Sequence, residues 1–264
     1  MKTIYKYYRN KRIIPEAHFP RDKHATISVI THKRKDLASI DEYLKDCEQQ
    51  FKVEYIKKTT TTEQACNDVM MSTNAQLNNR GKNIALECLQ FGGNREFWSG
   101  FNSEQDIRKY FDACYNYAIH KIGFLHTHEN IICAVIVTEP NRRNLFVFYL
   151  PITEVWQAKV MSSNKSGRGN KLQQRDEYGT PIYRQQVEID NPRLSHSEFW
   201  KARGGLTSYS DLQEDFFEKI SKQYGAVRGE SLSLVKNTTE KQRERFCRTD
   251  GDSLDSLYFD DMPF

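Results

Sequence analysis

His126 and His128 stand two residues apart with Glu129 beside them, in HTHEN. Imidazoles at that spacing on an extended segment point to one face and could share a metal ion. Solvated loop histidines have the same appearance. His18, His24, His32, Tyr5, Tyr7 and Tyr8 add nucleophile-type side chains, none of them inside a recognisable motif. Arg142 and Arg143, in PNRRN, could set positive charge against a bound phosphate without any metal, and a plain polar hairpin turn has the same composition. Lys165, Arg168, Lys171 and Arg175 sit among Ser, Asn, Gly and Gln, the composition of a flexible basic loop over about 162–186, able to track phosphates or to serve only as a linker.

Charge is distributed unevenly along the 264 residues. The stretch from Asp250 to Phe264 holds five aspartates and neither Lys nor Arg, which leaves 39 basic against 30 acidic side chains elsewhere. Residues 1–35 contain ten Lys or Arg and only Glu16 and Asp22, interleaved with the three tyrosines, a pattern suited to phosphates and unpaired bases or to a solvated arm. The six cysteines form no C-x-x-C pair, so reduced thiols are the default and a zinc site is not expected. Without a long apolar run or a signal-peptide pattern, the expected setting is the cytoplasm, with no membrane partner.

Periodicity supplies the elements that must position these groups. HATISVITH and KVEYIKK read as strands around a helix at LASIDEYLKDCEQQF; a Thr-capped helix follows, then the strand KNIALECLQF. In NSEQDIRKYFDACYNYAIHKIG, Ser103 precedes an apolar set at Ile107, Tyr110, Phe111, Cys114, Tyr117 and Ala118, and Gly123 can close the helix. NIICAVIVTEP and NLFVFYLPIT form an apolar hairpin whose strands are buried on both faces. Ser208 to Tyr224 reads as a helix with Leu212, Phe216, Ile220 and Tyr224 on one stripe.

This order of elements, with the landmarks LPIT, RLSHSEFW and YGAVRGES, resembles the plasmid mobilisation and recombination (Mob/Pre, MobV-type) relaxases over roughly 85–231. The resemblance implies an α+β, HUH-type antiparallel sheet flanked by helices. It also implies a second-strand motif, HxDExxPHxH, whose histidines hold a divalent metal. Aligned backwards from PIT, the closing histidines fall on Asn144 and Phe146 and the opening one on Val137; Glu139 meets the acidic position with a one-residue shift. The metal triad is therefore absent, and the expectation is no cofactor, with Mg or Mn as the alternative. Glu139, Asn144 and His24 are the weak catalytic candidates, and no nucleophile is assigned.

The tail FDDMPF is similar to the tip of bacterial single-stranded DNA-binding proteins. There the Phe264 ring would fill an apolar pocket with its carboxylate against a basic residue, Asp260 and Asp261 would steer the encounter, and Met262 and Pro263 would shape the docked segment. The expected organisation is a relaxase-like DNA-binding domain over 1–235 and a disordered linker with an acidic tail over 236–264. The expected function is binding of single-stranded or hairpin DNA through Arg142, Arg143, Lys165, Arg168 and Lys171 in replication, recombination or mobilisation of a plasmid, phage or other mobile element. The tail would recruit host proteins that bind such tips. An active nickase with relocated ligands and a decoy of host repair proteins without DNA affinity are the alternatives.

Overall fold

The structure is a computed structural model and describes residues 23–228, apart from 34–35, 78–83, 141, 157, 166, 168, 170, 178, 180, 186 and 206–207. The chain divides into two units after Val227, and all described residues except Arg228 belong to the first.

Five strands form the central sheet: β1 (Ala25–Lys33), β2 (Lys52–Lys57), β4 (Ile84–Gly93), β5 (Ile131–Glu139) and β6 (Arg142–Tyr149). Their order is β1-β4-β6-β5-β2 and every pairing is antiparallel. One face is covered by α1 (Leu37–Gln50) and α2 (Thr62–Ser72), the other by α4 (Glu104–Ile122) and α6 (Ser208–Lys219). The short helix α3 (Arg95–Trp98) follows β4, and a short 3-10 turn at Phe124–His126 follows α4. The central strands β5 and β6 contribute to both cores, Val135, Val137, Phe146 and Phe148 to one and Ala134, Ile136, Leu145 and Val147 to the other. Burial on both faces is what their unbroken apolar sequence predicts.

The helices begin where polar caps stand. Ser103 Oγ accepts from Asp106 N at 3.1 Å, and Thr61 Oγ1 accepts from Gln64 N at 3.2 Å. Each satisfies an amide that the first turn leaves open. All six apolar residues expected on the inner face of α4 are buried. Gly123 ends that helix for lack of space: its φ is −62°, while an added Cβ would meet Thr127 O at 2.2 Å and Ile119 O at 2.3 Å.

The polar second half departs from its loop expectation. β7 (Ile152–Trp156) and β10 (Val187–Leu194) form a smaller sheet with β3 (Gln76–Leu77). Between them, β8 (Met161–Lys165) and β9 (Lys171–Gln173) pair antiparallel, with bridges Lys159 to Tyr183 and Arg175 to Pro181. Bonds of 2.8–3.0 Å from Gln174 N to Val160 O, Val160 N to Ile182 O and Ile182 N to Gln174 O tie the three segments together. The ladder satisfies the backbone, so a ribbon forms although its side chains show no apolar stripe. NLFVFYLPIT is likewise divided, Leu150 and Pro151 separating β6 from β7, and helix α5 (His196–Lys201) begins at the Ser195 cap. The helical stripe of Ser208–Tyr224 breaks at Ile220, with a 3-10 turn at Ser221–Tyr224 beyond it.

Candidate nucleic-acid interface

Arg142 and Arg143 open β6 instead of forming the turn before it. Arg142 stands opposite Glu139 in the ladder. Arg143 makes a two-pronged ion pair with Glu104 at the start of α4, Nη1 to Oε2 at 2.9 Å and Nη2 to Oε1 at 2.7 Å. The guanidinium holds the Glu104 carboxyl below the usual carboxylate range. Because Glu104 is 65% exposed, the pair contributes only about 0.2–1 kcal/mol. Its consequence is chiefly electrostatic, since Glu104 offsets one of the two arginine charges. Beside it, a small cleft lined by Lys52, Glu54, Arg108 and Thr138 continues the mixed-charge surface, with Arg108 paired to Glu54 and Asp112.

The three positions aligned with the metal-binding histidines do converge. Val137 is the ladder partner of Asn144, Val135 that of Phe146, and Asn144 and Phe146 share the face under α1 by strand alternation. What they form here is core. Val137 and Phe146 are 0% and 2% exposed, and the Phe146 ring lies edge-on to Tyr43 of α1 at 6.1 Å. The Asn144 Oδ1 accepts from Gln90 Nε2 at 3.2 Å. It also presses on Gly92, where an added Cβ would meet it at 2.6 Å. Two hydrocarbon side chains and an amide engaged elsewhere do not fit a divalent cation. Among the described residues no group of three or more His, Cys, Asp or Glu is placed to hold one.

The remaining histidines are separate. His24 precedes β1: its backbone N–H donates to Asn94 Oδ1 at 3.0 Å and its Nδ1 lies 3.1 Å from Val227 O, so it helps tie the start of β1 and Val227 to the cap of α3. His32 is buried on β1, 6.1 Å from the Phe148 ring. His126 sits in a tight turn, not an extended segment, with Leu125 and His126 at φ 50° and 59° and its Nδ1 3.2 Å from His120 O. His128 and Glu129 are exposed beyond it. His18 and the N-terminal tyrosines, Arg168, and Asp260, Asp261, Met262, Pro263 and Phe264 lie outside the described residues. Lys165 and Lys171 are ladder partners at the end of the ribbon, and Lys171 is exposed.

One constellation escaped the sequence reading. Glu87, in the middle of β4 and 0% exposed, accepts from Trp200 Nε1 at 2.9 Å and from the Tyr149 hydroxyl, and lies 2.6 Å from His196 Nδ1. Burial, reinforced by this carboxylate, pushes the Tyr149 phenol well above its ordinary pKa. Arg203, stacked 3.6 Å over the Phe199 ring and bonded to Lys121 O and Phe199 O, adds positive charge nearby. The available signal was a lone Glu inside ALECLQF, since a carboxylate in a buried strand requires donors. The cluster fastens α5 to the sheet.

An antiparallel five-stranded sheet with helices on both faces and the β5–β6 hairpin at its centre is an α+β fold of the relaxase type. Solved structures of the MobM relaxase domain (MOBV; Mob_Pre) bound to plasmid pMV158 oriT DNA share it. The Mn-bound complex with 22 nucleotides at pH 5.5 is 13% identical, with a TM-score of 0.51 over 84% of this chain and 99% of that one. The Mn-bound complex with 22 nucleotides and a 3′-thiophosphate at pH 6.8 is 14% identical, with a TM-score of 0.50 over 84% and 98%. No family model and no curated protein matches the sequence. At such identities the likeness establishes the fold.

The same structures correct one expectation. No cofactor was expected, with Mg or Mn as the alternative, whereas the solved MobM domains that share this fold are Mn-bound. Val137, Asn144 and Phe146 describe the side chains at one place in this chain only. Among the described residues, no helix is long and apolar enough to cross a membrane.

Proposed function

We propose that the protein binds DNA, single-stranded or hairpin, in the replication, recombination or mobilisation of a mobile element. The observation that carries this reading is the extent of the fold likeness, 84% of this chain and 99% of a relaxase domain solved on oriT DNA. The basic balance of the chain outside Asp250–Phe264 supports it, because phosphate contacts supply most of the non-specific affinity for DNA. Within the described residues, Arg142 and Lys171 lie on exposed or half-exposed strand positions, whereas Arg143 is held by Glu104. Residues 1–235 act as the binding domain in this proposal, with 236–264 as a linker and acidic tail. Fluorescence anisotropy with a labelled single strand, a hairpin and a blunt duplex tests it. Tighter binding of the first two is expected, and the absence of binding to all three at low salt refutes it.

Recruitment of host proteins by Asp260, Asp261, Met262, Pro263 and Phe264 is a separate part of the proposal, supported by the sequence of that segment. A buried aromatic anchor commonly carries about 2 kcal/mol or more. A chain ending at Pro263 should therefore lose host proteins that recognise single-strand-binding-protein tips while keeping its DNA affinity. Equal recovery of those proteins by both chains refutes recruitment.

A further inference from the structure

The ribbon that leaves the smaller sheet concentrates exposed apolar surface. Of eight exposed large hydrophobic side chains among the described residues, Met161 and Leu172 lie on it at 46% and 47% exposure, and Trp156 and Val187, the last residue of β7 and the first of β10, stand at its root at 41% and 56%. Trp156 and Val187 are direct ladder partners, so the indole and the isopropyl group stand side by side where the ribbon begins. The other two tryptophans are engaged: Trp200 is buried with its N–H on Glu87, and Trp98 is half-buried with its N–H on Gly93 O. Trp156 is the indole left at the surface.

The charge around it identifies the occupant. Residues 158–187 contain six Lys or Arg and two carboxylates, Asp176 and Glu177. Lys159, Lys171, Arg175 and Arg184 are exposed. Lys159 and Arg184 each stand three residues along the chain from Trp156 and Val187, a reach of at most about 10–11 Å. An aromatic face bordered by cations suits a chain of planar bases joined by phosphates, because every base offers a π-face and every linkage a negative charge.

We propose that this ribbon and its root are a stacking platform on which Trp156 receives an unpaired base of single-stranded DNA while Lys159, Arg175 and Arg184, and Lys171 at the far end of the ribbon, hold phosphates along the same strand. The inference rests on the DNA-binding reading and narrows it to a place and a mode. Titration of the full-length protein with oligothymidylate, read both by tryptophan fluorescence and by anisotropy of a labelled strand, tests it. Quenching is expected in the wild type and not in Trp156→Phe, and Trp156→Ala should bind about 5- to 150-fold more weakly, the range for one stacked base. Trp156→Ala should melt within a few degrees of wild type, because the side chain is at the surface. Lys171→Glu with Arg175→Glu should weaken binding and flatten its salt dependence by about 0.7 per lost phosphate contact. Wild-type anisotropy binding that is unaltered in Trp156→Ala overturns the platform and leaves the DNA-binding reading standing. Failure of the wild type to bind any DNA overturns both. Equal quenching by an acidic, leucine-rich peptide marks the face as a protein-docking surface and also overturns the platform.

Discussion

Replacing Glu87 by Ala should be among the most damaging single changes to this fold. The carboxylate is fully buried and satisfies the Trp200 indole N–H at 2.9 Å and the Tyr149 hydroxyl, with His196 Nδ1 at 2.6 Å. Tyr149 and Trp200 are 0% and 6% exposed, so water cannot freely replace the lost acceptor. Each donor left unsatisfied costs about 1–3 kcal/mol, so the two buried donors, the Trp200 N–H and the Tyr149 hydroxyl, together cost about 2–6 kcal/mol. For a domain of this size, about 2–4 °C of melting temperature accompanies each kcal/mol, so a fall of about 4–24 °C is expected. Calorimetry and urea denaturation of Glu87→Ala and Tyr149→Phe, singly and together, give the measurement. Tyr149→Phe alone should cost about 1.5–3 kcal/mol, the worth of a bond to a charged acceptor, and the double variant should cost less than the sum. A Glu87→Ala protein within about 1 kcal/mol of wild type would refute the reasoning, since no buried carboxylate cluster would then be fastening α5 to the sheet.

Glu104→Gln should release Arg143 and strengthen binding of single-stranded DNA a few-fold in anisotropy titrations; unchanged affinity places Arg143 away from the DNA. The Glu104 carboxyl is held low by Arg143, so its small stabilising contribution is present above the ordinary Glu value of about 4.3 and fades as pH falls through the lower, folded value. The melting temperatures of wild type and Glu104→Gln should accordingly converge on the acid side. Phe146→His should cost about 2–4 kcal/mol in urea denaturation, because it exchanges a ring packed against Tyr43 for a buried polar one. A Phe146→His protein as stable as wild type would mean that this face of the sheet is not core.

The main sheet was legible because β5 and β6 are apolar on both faces and α4 carries a capped, periodic stripe, signals that depend only on near neighbours in the chain. The ribbon at 158–184 was not legible, since its order comes from backbone pairing and its side chains are mostly polar and exposed. The site was legible in part. The alignment placed Val137, Asn144 and Phe146 together, and the ladder brings them together, but their conversion into packed core depends on Tyr43 of α1, distant in sequence. The partnership of Arg143 with Glu104 spans 39 positions and leaves no local trace. Trp156 was hidden for the opposite reason: an indole in a strand ordinarily reads as core, and only its 41% exposure in the fold sets it apart.

The measurement that tests the central claim most directly is the affinity of the full-length protein for a labelled single strand as a function of salt. If four phosphates meet Lys159, Lys171, Arg175 and Arg184, log K should fall against log salt with a slope of about −3, from about 0.7 per contact on a single strand. A slope near zero, or no binding at the lowest salt, would contradict a DNA-binding role for this relaxase-type fold.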